Sequence, residues 1–200
     1  MAKTTELEAV NEILMMAGIT EVPDISASTL SNVDEANQAL NVLRRKSREI
    51  QSAGLHCNHE KQVTLSPNVS DEIDVAANVL SIDISDSRYP DVTFRDDKLY
   101  NLTEHSFTTF TEDIKADVTY ELDYEDLPEH VRRYINIRAG RDFVLRYLRD
   151  TELWQALALE EQAAATAFHN VEAETSDFNM LDGWPAREIL SRSPSIGYAW

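Results

Sequence analysis

Apolar and polar positions recur along this chain with two different periods. Between Thr5 and Ala17, the residues Leu7, Val10, Leu14 and Ala17 lie three or four apart, the repeat that lines up side chains on one stripe of a helix. Thr5 and Glu8 stand at capping-box spacing, and Gly18 sits where a left-handed residue closes a helix. Thr20 to Leu30, with Pro23, reads as a loop. A second helix is predicted from about Asn32 to Ala53, with Ser31 and Asp34 as its N-terminal cap. Its seam is Val33, Ala36, Leu40, Leu43, Ser47 and Ile50, and Gly54 ends it.

After Gly54 the period drops towards two. Gln62–Leu65, Val79–Ile84, Val92–Phe94, Asp117–Leu122 and, more weakly, Lys98–Tyr100 alternate or carry β-branched residues. Turn formers separate them, among them Ser66-Pro67-Asn68, Ser85-Asp86-Ser87 and Asp96-Asp97. The pattern predicts a small antiparallel sheet domain of four to six strands. Helix returns at Pro128, whose missing N–H is not needed in a first turn. This third helix is expected to reach Leu148, with Val131, Tyr134, Ile135, Ala139, Phe143 and Tyr147 inward. Thr151 is the predicted cap of a fourth helix, which runs to about Ala173 and buries Leu153, Leu157, Ala164 and Phe168.

From Thr175 to Trp200 helix breakers (Gly183, Pro185, Pro194, Gly197) alternate with large apolar residues. Phe178, Met180, Leu181, Trp184, Ile189, Leu190, Tyr198 and Trp200 make this stretch poorly suited to a free end, and it is expected to fold onto something. The predicted fold class is α+β. Residues 1–60 and 127–174 form an antiparallel bundle of four main helices, 61–126 an inserted small antiparallel β domain, and 175–200 an extended C-terminal arm.

Composition narrows the function. With 42% hydrophobic residues the chain has the material for a packed core. No apolar run approaches a membrane span, and the first residues lack the apolar stretch of a signal peptide, so the chain is expected to be soluble and made in a reducing cytoplasm. Its single cysteine, Cys57, excludes a disulfide framework and a multi-thiolate zinc site. The five glycines are too scattered for a G-x-G-x-x-G or Walker-type loop, and neither H-E-x-x-H nor G-x-S-x-G occurs.

Charge is the distinctive property: 36 acids oppose 18 bases, a net charge of −18. Such a surface does not clamp nucleic-acid phosphates over a broad face; it repels DNA or meets a basic partner. The imbalance is uneven. Residues 61–126 hold 16 acids and 5 bases, and 150–182 hold 8 acids and no Lys or Arg. The third helix is the exception, with Arg132, Arg133, Arg138, Arg141, Arg146 and Arg149 against Glu129 and Asp142. It is the electrostatic complement of the fourth helix, which carries Glu160 and Glu161. That complementarity is used either within one chain or between subunits. A further basic patch, Arg44, Arg45, Lys46 and Arg48, lies late in the second helix.

Candidate chemistry is thin. His56-Cys57-Asn58-His59-Glu60 groups potential metal ligands, but adjacent residues of one loop rarely converge tetrahedrally, and a polar linker is the expected reading. Cys57 has no orienting third group or oxyanion hole in view. The carboxylates Asp83, Asp86, Asp91, Asp96 and Asp97 lack the glycine of an EF-hand loop. No catalytic residue, metal ligand or cofactor site is assigned, which favours assembly over catalysis.

Five stretches in order resemble one family. Glu6-Leu7-Glu8-Ala9-Val10-Asn11-Glu12-Ile13-Leu14, followed by Gly18 and Pro23, is similar to the opening of tail tubular protein A, the head-to-tail adaptor family of short-tailed (podovirus-type) phages. The likeness continues through Ala36-Asn37 and Ala39-Leu40-Asn41, then Arg48-Glu49-Ile50-Gln51-Ser52-Ala53-Gly54. It resumes at Leu127-Pro128-Glu129 with Tyr134-Ile135, Ala139, Arg141 and Phe143, and closes with Phe178-Asn179-Met180-Leu181-Asp182. Where the family usually carries an aromatic pair after the second helix, this chain has Leu55, His56, Cys57 and Asn58.

The resemblance implies a non-enzymatic adaptor ring, dodecameric in this family, at the head–tail junction of a virion made in the host bacterial cytoplasm. The ring sits between the portal and the tail nozzle protein, with tail fibres nearby, and double-stranded DNA passes through it without specific binding. The helical part is expected to face the portal, the β part to face outward and towards the nozzle, and the apolar arm to dock on the portal. The six arginines of the third helix, with Glu160 and Glu161, are the expected subunit contacts. An acidic DNA-mimic inhibitor of a basic nucleic-acid-binding protein is the alternative from another class, and a hydrolase with an unrecognised carboxylate site a third.

Overall fold

A computed structural model of the chain describes residues 3–84, 86 and 88–175. The element order is α1 (Glu6–Met16), α2 (Ala27–Asn32), α3 (Asp34–Gln51), β1 (His59–Leu65), β2 (Val79–Ile84), β3 (Val92–Arg95), β4 (Lys98–Asn101), β5 (Ile114–Tyr120), a 3-10 turn (Tyr124–Asp126), α4 (Glu129–Phe143), a π-turn (Val144–Leu148) and α5 (Thr151–Thr175). This is an α+β fold, as the change of period predicts.

Helix α1 begins and ends as its sequence dictates. The Thr5 hydroxyl accepts from the Glu8 amide at 3.2 Å, and the Glu8 carboxylate accepts from the Thr5 amide at 2.7 Å. At the other end Gly18 takes φ +70°, so its amide reaches Met15 O while Ile19 N reaches Leu14 O, both at 2.9 Å. The stretch expected to be a plain loop contains α2. Ser26 accepts from Thr29 N and so starts a helix of six residues. Consequently α3 begins later than expected, at Asp34, with Val33 as a cap that offers no side-chain bond. Helix α5 is capped by Asp150 rather than Thr151: the Asp150 carboxylate accepts from the amides of Glu152 and Leu153 at 3.0 and 2.9 Å. Helix α4 gives way after Phe143 to the π-turn, which widens the helix and rotates Tyr147 outward. Tyr147 is 37% exposed and donates its hydroxyl to Glu35 at 2.8 Å, which corrects its expected inward position.

The strands form two antiparallel sheets rather than one. Strand β5 is central in the order β1–β5–β2, and β3–β4 is a separate hairpin. Asp96 and Asp97 close that hairpin at φ +50° and +56°, a turn twisted to match its strands. A bulge in β1 places Gln62 at φ +55°, where its amide donates to the Asp117 carboxylate at 2.8 Å.

Two apolar clusters hold the elements. The larger joins α1, α3, α4 and α5 through residues such as Ile13, Leu14, Leu43, Val131, Ile135, Phe143 and Phe168; the smaller gathers Ile73, Val75, Leu99, Phe110 and Ile114 under the strands. Helix α4 is the hub, packed against α1, α3 and α5. No helix among the described residues is long and apolar enough to cross a membrane.

Candidate functional site

Most of the α4 arginines are spent inside the chain. Arg132 is 1% exposed, and its guanidinium donates to Leu127 O at 2.7 Å and Thr4 O at 2.6 Å, tying the amino-terminal segment to the start of α4. Arg138 donates to Glu49 at 2.7 Å and to the Tyr134 hydroxyl at 2.9 Å. Arg141 pairs with Glu161, donates to Trp154 O at 3.1 Å, and lies 3.8 Å from the Trp154 ring centroid, a cation–π contact. Arg146 pairs with Asp142 at 2.8 Å. Asp142 also takes Arg45 at 2.7 Å and Lys46 at 3.8 Å, an α3–α4 hub that charge counting does not reveal. Burial alone would raise the Asp142 carboxyl, but Arg146, Lys46 and Arg45 together hold it below its ordinary value.

Arg133, Arg146, Arg149 and Glu160 are the exposed members of the charge set. Arg149 stands at φ +56° after the π-turn. Arg133 and Glu160 line a groove of about 560 Å³ over α4, together with Met15, Met16 and Ile137. In that groove Glu12 accepts from the buried Asn136 amide. Burial, then Glu8 and Glu129, push the Glu12 carboxyl up against the opposing pull of Arg133 and Asn136. A carboxyl held above its ordinary value contributes favourably at low pH and loses that contribution as pH rises through its folded value. Glu12→Gln is therefore expected to melt higher than wild type at pH 7. The two melting temperatures should converge below about pH 4, where a carboxyl is protonated in either state; a difference that ignores pH would contradict this.

The His56–Glu60 linker is structural in its surroundings. Glu172 on α5 accepts from the His56 amide at 3.0 Å and contacts His130 Nε2 at 3.0 Å. Cys57 is half-buried, and burial followed by Glu172 pushes its thiol up, away from a reactive thiolate. His59 Nδ1 meets the Thr119 hydroxyl at 3.1 Å. Among the described residues no group of three or more His, Cys, Asp or Glu converges on a point where a metal would sit. Asp86 is engaged by Arg88 at 2.6 Å.

Two buried amides that the sequence pattern does not mark join the helices to the sheet. Gln51 donates to Leu122 O at 3.1 Å and accepts from Leu122 N at 2.8 Å, copying a strand partner. Asn58, 2% exposed, accepts from Leu55 N at 2.8 Å and donates to Gln51 O at 3.0 Å and Tyr120 O at 2.7 Å. A polar residue one turn beyond Ser47 on the α3 seam was the only available signal. The cleft beside this junction, about 730 Å³, is lined by Arg44, Arg48, Glu121, Asp123, Glu125 and Asp126. The apolar arm residues Phe178, Met180, Leu181, Trp184, Ile189, Leu190, Tyr198 and Trp200 lie outside the described residues.

In this helical body with a sheet insertion, Arg44, Arg45, Arg48, Arg138, Arg141 and Arg146 each pair with a carboxylate of their own chain. Comparison with known proteins supplies the class: the family model described as Tube, tail tubular protein, matches residues 7–178, and the chain belongs to that family of phage tail structural proteins. Among curated proteins it is similar to Tail tubular protein A of Klebsiella phage KP34, with 32% identity over 169 residues that cover 78% of this chain and 86% of the relative.

Proposed function

We propose that this tail protein is a non-enzymatic head-to-tail adaptor, a ring of about twelve copies, the number the family resemblance implies, clamped between portal and nozzle at the head–tail junction. It is made in the host cytoplasm, approached by tail fibres on its outer side, and passed by double-stranded DNA during packaging and ejection. Residues 1–60 and 127–174 face the portal, 61–126 face outward and towards the nozzle, and the arm from Thr175 to Trp200 docks on the portal through its apolar residues. Of the charged residues expected at subunit contacts, Arg133, Arg146, Arg149 and Glu160 keep the exposure such a contact needs.

The observation that carries this reading is the disposition of charge. Arg44, Arg45, Arg48, Arg138, Arg141 and Arg146 are each held by a carboxylate of the same chain, and the acids in excess face solvent. A passing polyanion meets a surface on which acids outnumber bases, so it is repelled from the surface and slides. The isolated chain is expected to be monomeric and to assemble only on its template, because binding shifts the assembly equilibrium by mass action. Sedimentation of the full chain with and without the purified portal of its phage checks this. The expected result is a monomer alone and a portal-bound ring together; a stable dimer or tetramer indifferent to the portal contradicts it.

A further inference from the structure

Helix α5 has 25 residues, about 37 Å of helix, yet buries only Ala164 and Phe168. It packs on α4 and the π-turn and on no other helix to a comparable extent. Its opposite face is a continuous exposed stripe: Glu152, Ala156, Leu159, Ala163, Thr166 and Asn170, spaced four and three apart. Leu159 at its centre is 75% exposed, the largest exposure of any large apolar side chain within a described helix. Residues 151–175 contain no Lys or Arg, so the stripe is purely anionic in its charge.

On the far side of α4 lies α3, whose outward face carries exposed guanidinium groups, with Glu6 and Glu121 against two of them and Glu49 at its C-terminal end. Asn37, Asn41, Arg44 and Arg48 form one exposed line, and Arg45 lies beside it. The guanidinium-bearing side chains of Arg44, Arg45 and Arg48 remain 59%, 48% and 63% exposed while touching carboxylates of their own chain. The other helix flanking α4, α1, shows solvent Glu8, Glu12 and Met15, with Glu6 half-buried, and would repel an acidic stripe. Because α4 separates α3 from α5, the two complementary faces of one chain cannot meet each other.

We propose that the outer face of α5 packs against the outer face of α3 of a second copy of the chain, Leu159 seating beside Asn41 and the α5 glutamates facing Arg44 and Arg48. Different faces of each copy meet, so the contact is head-to-tail and either closes into a ring or continues. This rests on the adaptor reading and gives its ring a specific joint. The same contact supplies the desolvation that raises exposed pairs above the small value they have in water.

Capture by cysteine on the portal-bound assembly tests it. A chain carrying Leu159→Cys is mixed with a chain carrying Asn41→Cys, each with the half-buried Cys57 replaced by Ser, assembled on purified portal and oxidised. The mixed covalent dimer is expected to exceed, by about tenfold, both the Leu159→Cys self-dimer and the dimer formed with a Met15→Cys chain. Adding Arg44→Glu and Arg48→Glu to the Asn41→Cys chain should remove the mixed dimer, and adding Glu152→Lys and Glu160→Lys to its partner should restore it. Dominant self-dimers, capture no better than with Met15→Cys, or no restoration by the double reversal would overturn the joint. If rings still sediment with the portal in that case, the adaptor reading stands and the joint alone is wrong; if no ring sediments at all, both fall.

Discussion

Removal of residues 176–200 is expected to abolish attachment to the portal while leaving a protein that unfolds cooperatively. Helix α5 runs to Thr175, and among the described residues the large apolar cluster already joins α1, α3, α4 and α5 and reaches Ala164 and Phe168, so the truncated chain keeps that cluster. The arm itself offers Met180, Leu181, Trp184, Ile189, Leu190, Tyr198 and Trp200. Full burial of one such side chain contributes about 1.5–3 kcal/mol before ordering costs are subtracted. Trp and Tyr are favoured anchors at interfaces, and Pro185 and Pro194 restrict the free arm and so lower the entropy lost on docking. Portal pull-down alongside circular dichroism reads both halves of the expectation. Undiminished binding by a folded truncation would remove the arm as the dock, and lost helicity would assign it to the core.

Asn58→Ala should be the most damaging single change at the helix–sheet junction, at about 2–4 kcal/mol. The side chain serves Leu55 N, Gln51 O and Tyr120 O from a position sealed off from solvent. Truncation leaves one buried donor and two acceptors without this partner and opens a cavity that water fills only at a cost. For a domain of this size each kcal/mol lowers the melting temperature by about 2–4 °C. Thermal unfolding followed by circular dichroism checks the shift; a change under about 1 kcal/mol would mean that the junction tolerates loss of its amide. Asn58→Asp is a useful companion, since it retains the acceptor for Leu55 N but sets a carboxylate oxygen against the carbonyls of Gln51 and Tyr120, and at pH 7 it should recover none of the loss.

The sequence was most legible where a local rule acts alone. The capping box at Thr5 and Glu8 and the closing Gly18 are set by neighbours within six residues, and α1 appears as they dictate. The seam of α3 and the alternation in β2 and β5 are likewise carried by period. Tertiary partners governed the misses. Ser26 starts α2 through a bond to Thr29 N that also draws on Asp24, a cluster that a proline-bearing loop conceals. Tyr147 follows the period of α4 but not its geometry, because the π-turn breaks the phase just before it. Charge counting found that α4 and α5 are complementary and left open whether they pair within a chain. Arg141 and Glu161 do so, while the exposed basic ridge belongs to α3. Gln51 and Asn58 were invisible as a pair because their shared partner strand comes some sixty to seventy residues later, at Tyr120 and Leu122.

Negative-stain imaging of the purified chain mixed with the portal of its phage is the most direct test of the adaptor reading. The expected image is a ring of about twelve subunits stacked coaxially on the portal with an open central channel, and no such ring in samples lacking the portal. Portal particles without an added ring, or this protein as a small compact oligomer that ignores the portal, would contradict it.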